Sequence, residues 1–151
     1  MEVVNNQLEQ YCGFKVAGEE FAIPVMEVQE VIKPQMVTSI PLAQDQVRGL
    51  INLRGQIVTC LSLRKIFDKP DDLSKDYMNI IVKGEDGFFS LVVDEVTDII
   101  DIKNDNLERA PDVINPHLRK FVDKIYKKDK GLVILLNIKK LMDIKSVNEA
   151  I

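Results

Sequence analysis

The sequence predicts an all-β protein with a few short helices, arranged as two small barrels side by side. Three observations carry this. First, the chain repeats itself. Phe21-Ala-Ile-Pro-Val-Met-Glu-Val-Gln-Glu-Val-Ile32 reappears as Phe89-Ser-Leu-Val-Val-Asp-Glu-Val-Thr-Asp-Ile-Ile100, with Glu30 facing Asp98. Second, another pair follows in the same order: Ile57-Val-Thr-Cys-Leu-Ser-Leu-Arg-Lys-Ile-Phe67 matches Leu132-Val-Ile-Leu-Leu-Asn-Ile-Lys-Lys-Leu-Met142. The two offsets, 68 and 75 residues, differ by one change in loop length, which is the signature of two similar units. Third, short apolar runs alternate with turn signals at regular spacing, as in barrels and sandwiches.

Taken in order, residues 1–10 are expected to be a flexible leader. Residues 11–16 and 21–23 read as a hairpin about Ala17-Gly18-Glu19-Glu20. Residues 25–32 fit a helical face at Val25, Val28 and Ile32, yet their β-branched content suits a strand. Pro34 and Pro41 bracket a loop. Runs 47–53 and 57–61 are joined through Arg54-Gly55, a tight hairpin with glycine supplying positive φ. Ser62 and its repeat partner Asn137 are good helix caps, so short helices are expected after each. Lys69-Pro-Asp-Asp-Leu-Ser-Lys75 reads as a linker. The first barrel is therefore expected at about 11–68, the linker at 69–76, the second barrel at about 77–142, and a tail at 143–151. In the second unit, strands are expected at 77–82 and 88–93, about a turn at Gly84-Glu-Asp-Gly87. Leu91-Val-Val93 reads as a strand buried on both sides. Residues 104–116 are polar and loop-rich, and 121–126 with 132–136 form a last hairpin.

Units of about 65 to 75 residues would have thin cores and are expected to lean on each other. The net charge of −4 argues against phosphate binding, so no nucleic acid is expected. Lys124-Ile-Tyr-Lys-Lys-Asp-Lys130 is the local exception, and it reads as a solvated hairpin tip. No signal peptide or membrane-spanning run is present, so a soluble, cytoplasmic protein is expected. Cys12 and Cys60 lie in apolar strands and read as buried free thiols.

A search for reactive chemistry finds little. His117 is the single histidine, without companions for a metal. Asp94, Glu95 and Asp98 resemble paired carboxylates, but their repeat partners are Met26, Glu27 and Glu30, which makes them one face of a duplicated element. No phosphate-cradling loop or nucleophile elbow occurs. No catalytic residue, cofactor or metal is expected. The stretch that stands out is Val47-Arg-Gly-Leu-Ile-Asn-Leu-Arg-Gly-Gln-Ile-Val58. Arg54 would sit at a hairpin tip, where its planar fork can pair with a carboxylate, either Glu30 or a partner's.

From residue 11 to 142 the chain resembles the CheW family of bacterial chemotaxis coupling proteins. The resemblance is carried by Arg48-Gly-Leu-Ile-Asn-Leu-Arg-Gly-Gln-Ile-Val58, Ile23-Pro-Val-Met-Glu-Val-Gln-Glu-Val-Ile32, Leu91-Val-Val-Asp-Glu-Val96 and Gly131-Leu-Val-Ile-Leu-Leu-Asn-Ile138, in the family's order. It implies two five-stranded barrels with a groove between them and no enzymatic activity. It implies an adaptor linking the cytoplasmic tip of a methyl-accepting chemoreceptor to the regulatory domain of the histidine kinase CheA, at membrane-associated arrays. A related expectation is a paralogue serving another chemosensory pathway, such as pilus or surface motility.

Carried over by position, Val28, Glu30, Val31 and Gly49 are implied receptor-binding residues, and Arg54 is implied in partner contact and kinase control. Thr59 and Ser62 stand where the family often has proline and aspartate. Ser90 replaces a frequent glycine, and Lys124 with Tyr126 falls where a glycine-containing stretch is common. The resemblance turns the second barrel toward the kinase, so Ser90 and Lys124 are the positions expected to alter that contact.

Overall fold

The computed structural model describes residues 8–71, 76–85, 87–110 and 115–149. Its strands in the first repeat are β1 (Glu9–Val16), β2 (Glu19–Pro24), β3 (Val28–Ile32), β4 (Val47–Leu53) and β5 (Gln56–Ser62), followed by helix α1 (Leu63–Ile66). The second repeat has β6 (Met78–Gly84), β7 (Gly87–Val93), β8 (Glu95–Ile102), β9 (Leu107–Glu108), helix α2 (Pro116–Arg119), β10 (Val122–Lys128), β11 (Gly131–Leu136) and helix α3 (Ile138–Glu149). The expected all-β class with short helices is observed as two sheets, ordered β8-β1-β2-β11-β10-β9 and β3-β6-β7-β5-β4.

That order corrects the expected division of the chain. The sheets are not residues 11–68 and 77–142 on either side of a linker. Each repeat gives its first hairpin to one sheet and its third strand and last hairpin to the other. The exchange begins at Pro24, which cannot donate to a continuing ladder. A 3-10 turn at Val25–Glu27 then carries the chain across to β3, which pairs with β6. The ambiguity at 25–32 thus resolves as a turn followed by a strand. Two parallel pairings, β11 with β2 and β5 with β7, complete the exchange.

The duplication extends to its irregularities. The β3–β6 register slips between Val28 and Glu30, and the β1–β8 register slips at the matching place. The β4–β5 ladder slips between Val47 and Gly49, and the β10–β11 ladder between Val122 and Lys124. Each slip is a β-bulge, which bends its strand. Gly49 and Lys124 are therefore equivalent residues in two copies of one bulged hairpin.

Period-two alternation sends neighbouring side chains to different cores. Leu91 and Val93 of β7 join the largest core, between the sheets, while Val92 joins Ile51, Leu53, Val58, Cys60 and Ile81 inside the five-stranded sheet. This is the two-sided burial expected of 91–93. A third core, with Tyr11, Ala22, Ile102, Val133 and Leu135, fills the six-stranded sheet. The inter-sheet core contains Phe14, Phe21, Phe67 and Phe121, whose ring centroids lie 5.8, 4.9 and 6.4 Å apart in sequence. It draws on both repeats, so the units share one interior. Truncating fully buried Leu91 to alanine would cost about 2–5 kcal/mol.

Both predicted caps form. Ser62 Oγ accepts from Lys65 N–H at 3.3 Å, and Asn137 Oδ1 accepts from Lys140 N–H at 3.1 Å. The stretch expected as a tail continues α3 as far as Glu149. The expected linker lies partly outside the described residues, as do the leader up to residue 7 and the 84–87 turn at Asp86.

Candidate functional site

Glu30 and Arg54 are brought together, as the sequence allowed. β4 and β5 meet in a two-residue turn with Leu53 opposite Gln56, and both Arg54 (φ 51°) and Gly55 (φ 88°) are left-handed. This is the type I′ pattern, which needs positive φ at both turn residues, so Arg54 itself accepts a conformation that non-glycine residues enter at a cost of about 1–2 kcal/mol. Asn52 Oδ1 accepts from Gly55 N–H at 2.9 Å and braces the turn. From this tip Arg54 forms an ion pair with Glu30 on β3. β3 and β4 are the two outer strands of the five-stranded sheet. The pair therefore joins opposite edges of the sheet, which must curl to bring them together.

Val28 is half-buried and packs against the inter-sheet core, while Val31 is exposed. Val28 is thus partly a packing residue, and Val31 is the one with a face for a partner. Gly49 is buried with φ 147°. A Cβ there would fall on the Thr38 carbonyl oxygen and within 2.6 Å of Val37 Cγ1. Thr38 and Leu50 exchange backbone hydrogen bonds of 2.8 Å each. Gly49 is the gap that lets residues 37–38 lie against β4, so it offers no side chain to a partner. The role of Thr38 is not visible in the sequence, because no local signal marks a residue that pairs across a loop.

Ser90 requires a correction. It is fully buried and donates to Asn79 Oδ1 at 2.8 Å, while the Asn79 amide donates to the Lys33 carbonyl at 3.3 Å. No Ser90 atom is available to a partner, so any influence on a partner contact must pass through this interior network. Its repeat partner Ala22 is also fully buried, and that small aligned residue is the signal for an interior position. Cys60 lies beside Ser90 and is fully buried; burial pushes its thiol up to about 11, against smaller opposing effects of the Ser90 hydrogen bond and Arg48. Burial also raises Cys12. Both thiols are free and buried, as expected. Lys124 is exposed on β10, on the other sheet from Arg54.

The remaining candidates have structural partners. Arg64 clasps Asp94 through Nε at 2.8 Å and Nη2 at 2.6 Å, and Asp94 also accepts from Ala17 N–H at 2.8 Å. Asp94 thus ties α1 to the β1–β2 turn. These residues line one side of a cleft of about 240 Å³ that also contains Arg48, Asp71, Asp76 and Tyr77. Within it, the Arg48 guanidinium stacks 4.3 Å from the Tyr77 ring centroid and Ser62 donates to Asp71 at 2.9 Å. His117 lies on α2, exposed and 3.9 Å from Asp68. The basic run is a hairpin tip pinned by Lys127–Glu108 at 2.9 Å and Lys128–Glu20 at 2.9 Å. Among the described residues, no cluster of three His, Cys, Asp or Glu side chains could hold a metal.

Two interleaved sheets and a cross-braced hairpin define a β-rich module built from two intertwined repeats. Residues 10–146 match the CheW-like domain, and the chain belongs to that family. It is 29% identical over 139 residues to the chemotaxis protein CheW of Helicobacter pylori, covering 91% of this chain and 84% of that one. It is 28% identical over 144 residues to the chemotaxis protein CheW of Bacillus subtilis, covering 95% and 92%. The crystal structure of the scaffolding protein TtCheW from Thermoanaerobacter tengcongensis superposes with a TM-score of 0.78 at 30% identity, covering 87% of this chain and 90% of that one.

Proposed function

We propose that this chain is a non-enzymatic chemotaxis adaptor, coupling the cytoplasmic tip of a methyl-accepting chemoreceptor to the regulatory domain of the histidine kinase CheA. The observation that carries this reading is the Glu30–Arg54 pair, set beside Val28, Val31 and Gly49 in a chain of the CheW-like family. One ion pair binds the strand implied in receptor contact to the hairpin implied in kinase control. The receptor's helical hairpin lays apolar residues against Val28 and Val31, a helix-in-groove contact. The kinase domain meets a sheet end, with Lys124 at the rim. Glu30 and Arg54 set orientation more than affinity. Each contact is modest, as in transient signalling interfaces, and array formation supplies the avidity. The protein works in the cytoplasm, recruited to membrane-associated arrays. Among the described residues no helix is long and apolar enough to cross a membrane.

The test is an NMR titration of the labelled chain, first with a receptor-tip fragment and then with a CheA regulatory domain. Two separate sets of shifted amides, one around 28–31 and 54 and the other on the six-stranded sheet, are the expected result. Shifts with the receptor alone would remove the kinase arm. No shifts with either partner would sink the adaptor reading.

A further inference from the structure

The connection between β3 and β4 contains no charged residue from Pro34 to Gln44, in a chain that is 29% charged. Yet it lies largely on the surface. Met36 is 91% exposed and Leu42 101%, with Ile40 at 36%. Loss of charge and enrichment in methionine and large apolar side chains mark the core of a protein interface.

The backbone adds an independent observation. Pro41 and Leu42 are the central residues of a turn closed by Ala43 N–H to the Ile40 carbonyl at 3.3 Å, and Leu42 has φ 66°. A turn with proline first and positive φ second calls for glycine or asparagine at the second place. Leucine there is unfavourable for the backbone, and its full exposure is unfavourable for the side chain. At 101% exposure the Leu42 side chain has no packing that would offset its contact with water.

The connection is also held in place. The Thr38–Leu50 bridge fastens it to β4, and the absent side chain of Gly49 is what permits that approach. The corresponding stretch of the second repeat, between β8 and α2, contains Lys103, Asp105, Glu108, Arg109 and Asp112. Lys124 occupies Gly49's place there. The second repeat fastens its connection at the equivalent place, Glu108 opposite Ile125 on β10, so what belongs to one repeat alone is the lack of charge.

We infer that the 34–44 connection is itself a docking surface, with Leu42 and Met36 as its anchors and Gly49 as the positioning residue that holds it against β4. Its occupant is the apolar stripe of the receptor's helical tip, reached from the neighbouring Val31 surface. This identification of the occupant rests on the adaptor reading proposed above. An uncharged surface fits an apolar stripe and offers nothing to a charged partner.

The experiment measures binding of a receptor-tip fragment to the full chain and to Leu42→Asn and Met36→Ser, with thermal unfolding of each. Asparagine tolerates the left-handed turn, so Leu42→Asn is expected to melt at the same temperature as the unaltered chain or higher, while binding at least tenfold more weakly. Met36→Ser is expected to weaken binding with an unchanged melting temperature. If both variants are folded and bind within twofold of the unaltered chain, the inference is overturned and the adaptor reading stands. If the unaltered chain does not bind the fragment, both fall together.

Discussion

The Arg54 hairpin and the Asp129 hairpin occupy the same place in two copies of one strand pattern, bulge included, and they are fastened differently. In the first copy the tip reaches Glu30 on the far edge of its own sheet. In the second the matching residues are Asp129 and Asp98, two like charges that cannot pair. That hairpin is held instead through Lys127 to Glu108 and Lys128 to Glu20. Both copies pair a connecting segment with the hairpin, Thr38 with Leu50 and Glu108 with Ile125, but a buried Gly49 stands beside the first contact and an exposed Lys124 beside the second. The interior differs as well. Ser90 and Asn79 form a polar link in the five-stranded sheet where the six-stranded sheet has Ala22 and Tyr11. One backbone pattern therefore supports two different surfaces, because strand pairing depends on alternation and turns while tips and bulges are free to diverge.

The largest test of this contrast is to import the second copy's residue into the first. Gly49→Lys places a side chain on the Thr38 carbonyl in a left-handed conformation, and is expected to lose about 3 kcal/mol or more in urea unfolding. The reverse change, Lys124→Gly, should cost about 1 kcal/mol or less. Equal effects would mean that the two bulges are not differently packed.

Next in size is Ser90→Ala, which copies Ala22. It leaves the buried Asn79 oxygen without its donor and should cost about 1–3 kcal/mol, although alanine suits the matching position. A neutral result would show that the network contributes no stability.

A smaller effect on stability, with a larger one on binding, is expected from Arg54→Asp. The arginine is mostly exposed, so the change should stay within about 1 kcal/mol in unfolding. Receptor and kinase titrations should both weaken, and the charge-swapped double variant Glu30→Arg, Arg54→Glu should recover part of the loss. Unchanged binding in the single variant would remove the pair from the mechanism.

The last effect appears only at alkaline pH and concerns the five-stranded interior. Cys60 has a folded pKa of about 11, above its ordinary value of 9.0. A raised pKa means the folded state holds the proton longer than the unfolded state. Its contribution is full below the unfolded value and declines as pH rises from about 9 toward 11. Urea midpoints should fall over that window more steeply for the unaltered chain than for Cys60→Ala. Matching slopes would contradict a buried thiol.

Several features are legible in the sequence because they are local. The Arg54-Gly55 turn, the Ser62 and Asn137 caps and the 91–93 alternation each rest on residues within a few positions of one another. The Glu30–Arg54 pair is legible as one of two options, since a hairpin-tip arginine needs a carboxylate and Glu30 is the internal one. Ser90 reads as a contact residue from the family resemblance, which shows a substitution without showing which way the strand faces. The small residue at its repeat partner, Ala22, is the clue within the chain that this position points inward. Gly49 reads as a site residue, whereas its reason is the passage of Thr38, eleven positions away along an irregular loop.

The sequence by itself determined most of the hairpin strands, their turns and the duplication, because alternation, capping and repeat spacing are written along the chain; it did not mark β8 or β9, and it left residues 25–32 open. Only the tertiary structure decided that the two repeats exchange their strands and that one sheet is cross-braced by Glu30 and Arg54 while the other is not. A repeat states which residues are equivalent. Which copy each strand pairs with follows from the turn after Pro24 and from burying one shared core, and both depend on neighbours distant in sequence.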